Sequence, residues 1–156
     1  MEIKSYSTYR LVKSEDLNHH GTLFAGRSAE WFVESGFIAA SSLVPANNVV
    51  CVKIHGMQFT RAVKLGQIVC YTSKIVYAGK TSLICYVRVS LIENKEVTLL
   101  DGFLTFVHVD ENTKPTPHGI VMEPKTEEDT YLQQLAKALP RTNVINFAKI
   151  KEETKA

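Results

Sequence analysis

Four long β-rich segments in the middle of the chain constrain the fold most strongly. Residues 49–59, 67–78, 81–93 and 97–109 are rich in Val, Ile, Tyr and Cys, and only short polar breaks separate them. Branched and aromatic residues in such runs favour strands. Because parallel neighbours need crossovers of about a dozen residues or more, the short breaks predict an antiparallel meander.

A single long helical segment precedes these strands. Between Thr22 and Leu43, small and apolar residues recur every three or four positions, and Pro45 ends the pattern. Residues 3–12 form one further strand-like segment before it. One helix that is apolar around most of its circumference cannot cover both faces of a five-stranded sheet. The sequence therefore predicts an α+β fold, with a long antiparallel sheet wrapped around one central helix and completed by dimerisation.

The C-terminal part of the chain is more polar. Thr126-Glu127-Glu128-Asp129 resembles a capping box, which predicts a short amphipathic helix that ends at Pro140. The last dozen residues are polar and are expected to be frayed. We therefore divide the chain into a functional domain, residues 1–120, and a C-terminal helix with a polar tail, residues 121–156.

Composition narrows the class of protein. The 156 residues are 45% hydrophobic and 22% charged, which is ordinary for one globular domain. The net charge is only +2, and the Lys and Arg residues are scattered along the chain. No nucleic-acid partner is therefore expected. No apolar run approaches the ~20 residues that span a bilayer. The N-terminus also lacks a signal-peptide pattern. We therefore expect no membrane partner and a cytoplasmic location.

Cysteine and histidine spacing gives no indication of a metal site. The three cysteines lie in strand-like segments without a C-x-x-C pair, so we expect buried thiols: Cys51, Cys70 and Cys85. No set of His, Cys and Asp residues has metal-ligand spacing. Three histidines are expected to be structural or exposed: His55, His108 and His118.

Five short segments follow one another along residues 9–117. They are Asp16-x-Asn18-x-x-Gly21-Thr22-Leu23-Phe24-x-Gly26, Gly56-Met57-x-Phe59, Val63-x-x-Gly66-x-x-Val69, Gly79-Lys80-Thr81-Ser82 and Phe103-Leu104-Thr105-Phe106-Val107-x-Val109-Asp110. In this order they resemble the hotdog-fold acyl-CoA thioesterases, specifically the acyl-CoA hydrolase branch. The resemblance implies an acyl-CoA substrate bound at a dimer interface, with coenzyme A as part of the substrate and no separate cofactor. It also implies a homo-oligomer, either a dimer or a tetramer or hexamer.

Thioester hydrolysis needs a group that binds the developing oxyanion and a group that activates water or attacks directly. The unpaired amides at the start of the helix suit the first task. Gly21, Thr22 and Gly26 would let a carbonyl approach them, although glycines there also serve a tight turn. The resemblance implies that Asn18 orients the water or the thioester, and asparagine is also a common turn residue.

The carboxylate departs from the family pattern. In the acyl-CoA hydrolase branch the acidic residue typically falls at the position of Val33, which has no acidic group. Glu34 is the neighbouring candidate for the general base or nucleophile, but one residue along a helix is a rotation of about 100°. Arg27, Glu30 and Glu34 also share one stripe, as an ordinary charged helix face does.

Two histidines beside the predicted helix keep a second reaction open. His20 precedes Glu34 by 14 residues, a separation that resembles the His…Glu pair of hotdog acyl-carrier-protein dehydratases. The Pro- and Gly-rich loop of those enzymes is absent. The first alternative is therefore a hydroxyacyl or enoyl thioester dehydratase-hydratase that uses His20 and Glu34. The second is a non-catalytic acyl-CoA-binding protein, which the missing acid at Val33 favours.

The coenzyme A end of the substrate is assigned to a turn. Gly79-Lys80-Thr81-Ser82 matches the family segment that contacts the pantetheine and the phosphates. Its amides, two hydroxyls and one ammonium suit a phosphate-bearing ligand, although an ordinary hairpin turn has the same residues. Arg61 and Lys64 are further candidates for the nucleotide end. Three large side chains are expected to line the acyl pocket: Trp31, Phe37 and Met57.

Overall fold

The computed structural model describes residues 1–140 and 147–154. Its strands are β1 (Tyr6–Leu11), β2 (Val49–His55), β3 (Ile68–Ala78), β4 (Ser82–Leu91) and β5 (Leu100–His108). Its helices are α1 (Ala25–Ser41), α2 (Glu127–Lys137) and α3 (Phe147–Thr154). Each strand and each of the first two helices lies within a segment that the sequence pattern predicts.

The five strands form one sheet in the order β1-β3-β4-β5-β2, and every neighbouring pair is antiparallel. Strands β3, β4 and β5 form the predicted meander. The prediction is wrong for β2, which pairs with β5 instead of β3. The reason is that β2 ends at His55, where Gly56 adopts a φ of 70°. The connection to Ile68 is therefore long enough to cross to the other side of the sheet.

Helix α1 packs against one face of this sheet, as predicted for the central helix. Trp31 meets Tyr71 of β3 edge-on at 6.2 Å between ring centroids, and Phe37 meets Phe106 of β5 at 5.7 Å. Gly36 lies where the helix approaches β5 most closely, because a Cβ there would collide with Leu104. The apolar core lies between α1 and the sheet.

Helix α2 packs against the opposite face. Leu132 and Ala136 join two buried residues of β3 and β4 in a second apolar cluster. The predicted cap is confirmed, since the Thr126 hydroxyl accepts a hydrogen bond from the Asp129 amide at 3.0 Å. The Lys74 ammonium of β3 forms an ion pair with Asp129 at 2.5 Å. The structure therefore attaches α2 firmly to the sheet.

The C-terminal tail differs from the prediction of a frayed end. Residues 147–154 form α3, which is rich in Lys and Glu, both good helix formers. The remaining tail residues, 145, 146, 155 and 156, lie outside the described part of the chain. Among the helices of residues 1–140 and 147–154, none is long and apolar enough to cross a membrane.

Candidate functional site

The loop that leads into α1 is organised by Asn18. Its Oδ1 accepts hydrogen bonds from the amides of His20 at 2.9 Å and Thr22 at 3.2 Å. Gly21, between them, has a φ of 78°, a backbone conformation that is strained for residues other than glycine. The Asn18 Nδ2 group contacts the Thr22 hydroxyl at 3.2 Å. An amide nitrogen carries two N–H groups, so a second one is free of partners among the described residues.

Helix α1 begins with unused backbone donors. The amides of Arg27 and Ser28 donate to the Phe24 carbonyl at 3.0 and 3.1 Å. The amides of Ala25 and Gly26 have no acceptor within residues 1–140 and 147–154. The Phe24 ring lies against Gly26, where a Cβ would be 2.5 Å from its Cε1 atom. Two free N–H groups therefore stand at the positive end of the helix dipole.

A cavity of about 280 Å³ opens beside this helix start, and we call it the Asn18 cavity. Polar residues on its exposed side are Asn18, Thr22, Thr60 and Arg61. Its buried walls are apolar: Val63, Val69, Val89, Leu99 and Leu100. Free amides beside an apolar interior suit a carbonyl group that carries a hydrocarbon chain.

A second cavity, of about 750 Å³, lies at the other end of the sheet, and we call it the basic groove. Lys53, Lys80 and Lys137 line it, and no acidic side chain does so among the described residues. His55 also lines it, with Nε2 2.6 Å from the Thr105 hydroxyl. Burial, together with the nearby Lys53 ammonium, lowers the pKa of His55. The groove suits a ligand that carries phosphates.

The turn of residues 79–82 forms one wall of the basic groove and is held from behind by His118. The Ser82 carbonyl accepts hydrogen bonds from the Gly79 amide at 3.0 Å and from His118 Nε2 at 2.9 Å. His118 Nδ1 accepts from the Ile120 amide at 2.9 Å, which fixes the proton on Nε2. The amides of Lys80 and Thr81 have no acceptor in the described chain. Sequence reasoning did not connect His118 to this turn, because the contact joins residues 36 positions apart.

The chain matches the sequence model of the thioesterase superfamily over residues 20–98. The matched span contains α1 and strands β2 to β4. The chain belongs to the thioesterase superfamily.

Individual relatives point to one branch of the thioesterase superfamily. The chain is 29% identical to the uncharacterized acyl-CoA thioester hydrolase YkhA of Bacillus subtilis, over 78% of this chain and 71% of that protein. A hexameric acyl-CoA thioesterase solved in its apo form has a TM-score of 0.77 and 31% identity, over 86% of both chains. An acyl-CoA hydrolase of Staphylococcus aureus, solved with butyryl coenzyme A, coenzyme A and coenzyme A disulfide, has a TM-score of 0.76 and 26% identity, over 85% of this chain and 82% of that one. The hotdog fold and the resemblance to acyl-CoA hydrolases are confirmed.

Glu34 lies outside both cavities. Its Oε1 atom is 2.6 Å from Arg10 Nη2 on β1, and both side chains are partly exposed. Within this thioesterase fold, the neighbouring Ser35 is buried, and its backbone carbonyl accepts a hydrogen bond from the Ser73 hydroxyl of β3 at 2.8 Å. Val33 lies one turn before Phe37, which faces β5. The one-residue rotation therefore directs Glu34 towards β1 and Val33 towards the β2 side of the sheet.

The other candidates are distributed over different places. His20 is exposed, stacks on His19 at 3.9 Å and lines neither cavity. Arg61 lines the Asn18 cavity, whereas the turn of residues 79–82 lines the basic groove. The three expected pocket residues line neither cavity of the single chain, because their side chains pack against the core: Trp31, Phe37 and Met57. A single chain thus brings together Asn18, Thr22 and Arg61, but not Glu34 or the turn.

Neither the cysteines nor a metal site adds chemistry to the described part of the chain. All three cysteines are free, with Cys70 and Cys85 buried and Cys51 half-buried. Burial raises the pKa of the Cys51 and Cys85 thiols, so both stay protonated near neutral pH. Among the described residues, no group of three His, Cys, Asp or Glu side chains is arranged to hold a metal ion.

Proposed function

We propose that the protein hydrolyses acyl-CoA thioesters at a site shared by two protomers. The Asn18 cavity carries the proposal, because it lies at the helix start, where Ala25 lines it, and it also has a free side-chain N–H group and an apolar interior. Relatives named as acyl-CoA thioester hydrolases support coenzyme A as the thiol part of the substrate. The Staphylococcus aureus hydrolase with bound butyryl coenzyme A supports it further.

Strand β2 supports the pairing of two protomers. It is an edge strand, and within the described chain it pairs only with β5. Val52 and Ile54 on this edge are 56% and 45% exposed. An unpaired strand with exposed apolar residues pairs readily with another chain. Antiparallel pairing with β2 of a second copy would make one continuous sheet with two-fold symmetry.

This pairing would also bring the two cavities to the same end of the joined sheet. In one chain they lie at opposite ends of β5, since Leu100 lines the Asn18 cavity and Val107 lines the basic groove. Antiparallel pairing reverses the direction of the partner sheet. The end of one protomer that carries the Asn18 cavity would therefore lie at the same end of the joined sheet as the basic groove of its partner, which opens on the α2 face. We assign the acyl group to the first and the nucleotide end of coenzyme A to the second.

The proposed chemistry rests on the helix start. The Ala25 and Gly26 amides bind the oxyanion that forms when water attacks the thioester carbonyl, and the free Asn18 N–H group orients the carbonyl or the water. The proton of the attacking water passes to bulk water, and collapse of the oxyanion breaks the C–S bond and releases coenzyme A as the thiolate. In the Staphylococcus aureus hydrolase, an asparagine and an aspartate fifteen positions later have each been replaced by alanine. The same separation from Asn18 leads to Val33. Glu34 takes no part in the proposed reaction, because its carboxylate forms an ion pair with Arg10.

The lack of an acidic group at Val33 favours one other function. A protein that binds acyl-CoA through the Asn18 cavity without hydrolysing it needs no acidic group there. The dehydratase-hydratase alternative has no such support, because His20 is exposed and does not contact Glu34.

Thiol release separates these functions. Wild-type protein and Asn18→Ala are assayed with short, long and aryl CoA thioesters. Asn47→Ala, an exposed asparagine outside both cavities, is the matched control. We expect hydrolysis of at least one ester, a loss of about a hundredfold in kcat for Asn18→Ala, and no change for the control. Binding without thiol release would instead identify a non-catalytic acyl-CoA-binding protein.

Two further assignments belong to this proposal. Coenzyme A is part of the substrate, and the proposed reaction needs no additional cofactor. A cytoplasmic location is supported by the three free cysteines, which suit a reducing compartment.

A further inference from the structure

Two hydroxyl groups meet at the buried side of the Asn18 cavity. Ser28 of α1 lines the cavity and is 5% exposed, and Tyr71 of β3 is fully buried behind it. The Ser28 Oγ atom lies 2.9 Å from the Tyr71 hydroxyl oxygen. The surrounding walls are the apolar side chains of Val69, Val89 and Leu100. The cavity therefore has a polar spot inside an otherwise apolar interior.

One of the two hydroxyl protons of this pair has no hydrogen-bond acceptor among the described residues. Each hydroxyl carries one proton, and their mutual hydrogen bond uses only one of the two. Neither hydroxyl has another partner among the described residues. Burial raises the pKa of Tyr71 to about 12, so the phenol keeps its proton at neutral pH. Because Ser28 rather than Tyr71 lines the cavity, donation from Tyr71 to the Ser28 oxygen would leave the Ser28 proton available to a ligand.

The position of Ser28 along the helix indicates which atom of a bound thioester could accept a hydrogen bond from its hydroxyl. Ser28 follows the free Ala25 and Gly26 amides by two to three residues, which is roughly 3–5 Å along the helix axis. A thioester carbonyl bound at these amides places its C3 substituent at this depth. An oxygen on C3 can therefore reach the Ser28 hydroxyl, whereas a plain hydrocarbon chain leaves that buried donor unsatisfied.

We propose that the substrates are CoA thioesters whose acyl group carries a hydroxyl or keto oxygen at C3, and that Ser28 donates a hydrogen bond to this oxygen. Tyr71 is a positioning residue that holds the Ser28 hydroxyl in the donating orientation. The inference rests on the proposed function for the reaction and on the Ser28–Tyr71 pair for the specificity.

Matched four-carbon substrates test it. For 3-hydroxybutyryl-CoA and butyryl-CoA, we would measure kcat/KM for thiol release and, by calorimetry, the Kd of each thioester. The variants are Ser28→Ala and Tyr71→Phe. Ser35→Ala is the control, because Ser35 is a buried serine two turns further along the same helix and lines neither cavity.

We expect the wild type to prefer the hydroxylated ester by about tenfold, a ratio that one satisfied hydrogen bond supports. Ser28→Ala should abolish the preference, Tyr71→Phe should reduce it, and Ser35→Ala should keep it. Hydrolysis of both esters at equal rates would overturn the inference while leaving the proposed function intact. A preference in Kd without any thiol release would uphold the inference and overturn the proposed function. Failure to bind either ester would overturn both.

Discussion

At the scale of single residues, one step along a helix changes what a side chain contacts. Val33 and Glu34 are neighbours in the sequence, yet α1 directs the first towards β2 and the second towards Arg10 of β1. The Arg10 guanidinium also lies 5.5 Å above the Trp31 ring, which fixes the ion pair in place. Glu34 therefore has a structural partner outside the cavities.

Replacement of Glu34 by glutamine tests this placement. We expect kcat for the preferred thioester to stay within about threefold of wild type, and stability to fall by at most about 1 kcal/mol, because the ion pair is solvent-exposed. Arg10→Gln removes the same pair from the other side and should match both values. A loss of about a hundredfold in Glu34→Gln alone would instead restore Glu34 as the general base that the sequence predicts.

His118 supplies a second prediction at this scale. His118→Phe removes the donor to the Ser82 carbonyl and loosens the turn of residues 79–82. We expect KM for acyl-CoA to rise about tenfold with kcat within twofold, because in the proposed site the turn would bind the nucleotide and not the reacting carbonyl. His118→Gln, which keeps a side-chain N–H donor, should restore part of the affinity. The KM of an acyl-N-acetylcysteamine thioester, which lacks the nucleotide, should not change; an equal rise there would show a general structural defect.

At the scale of secondary structure, the path of the chain between β2 and β3 decides which strands form the edges. Since β2 crosses to the far side of β5, the sheet ends in β1 and β2. The exposed apolar residues of β2, together with Phe59 just beyond it, make this edge suitable for a partner, although Tyr9 and Leu11 are also exposed on β1. The same crossing makes β2 an edge strand, so that a second protomer can pair there.

A charge on the β2 edge tests the assembly. Val52→Lys introduces an ammonium at a strand edge, a common means of preventing edge-to-edge pairing. We expect the dimer to dissociate in sedimentation experiments and thiol release to fall at least tenfold, because the shared site is lost. Val121→Lys, at an equally exposed residue outside the sheet, should leave the assembly and the activity unchanged. A Val52→Lys dimer with normal activity would contradict pairing through β2.

At the scale of the whole molecule, the interior contains ionisable groups that must remain neutral. Burial raises the pKa of Tyr71 to about 12, and it also raises the pKa of Tyr86 and of Cys85. In each case the folded state favours the protonated form relative to the unfolded chain. Their contribution to stability is therefore complete below the unfolded pKa and is lost as the pH rises towards the folded pKa.

Because these pKa values are raised in the folded state, the protein is expected to lose stability at alkaline pH. For Tyr71 the window runs from the ordinary pKa of 10.0 to about 12. Across it we expect the free energy of unfolding, measured by urea titration, to fall by up to about 3 kcal/mol from this group. Tyr71→Phe should remove that part of the decline, whereas Tyr131→Phe, at an exposed tyrosine, should not change it. An identical pH slope in Tyr71→Phe would contradict the assignment.

The sequence by itself determined the types of strands β1 to β5 and of helix α1, the capped helix α2 and the superfamily, because periodicity, capping and short motifs are local properties. It also located Asn18 and the turn of residues 79–82, since both lie in such motifs. It did not place β2 beside β5, connect His118 to Ser82, pair Ser28 with Tyr71 or direct Glu34 towards Arg10. Each of these joins residues far apart in the chain, and only the packing of α1 and the strand order bring such residues within bonding distance.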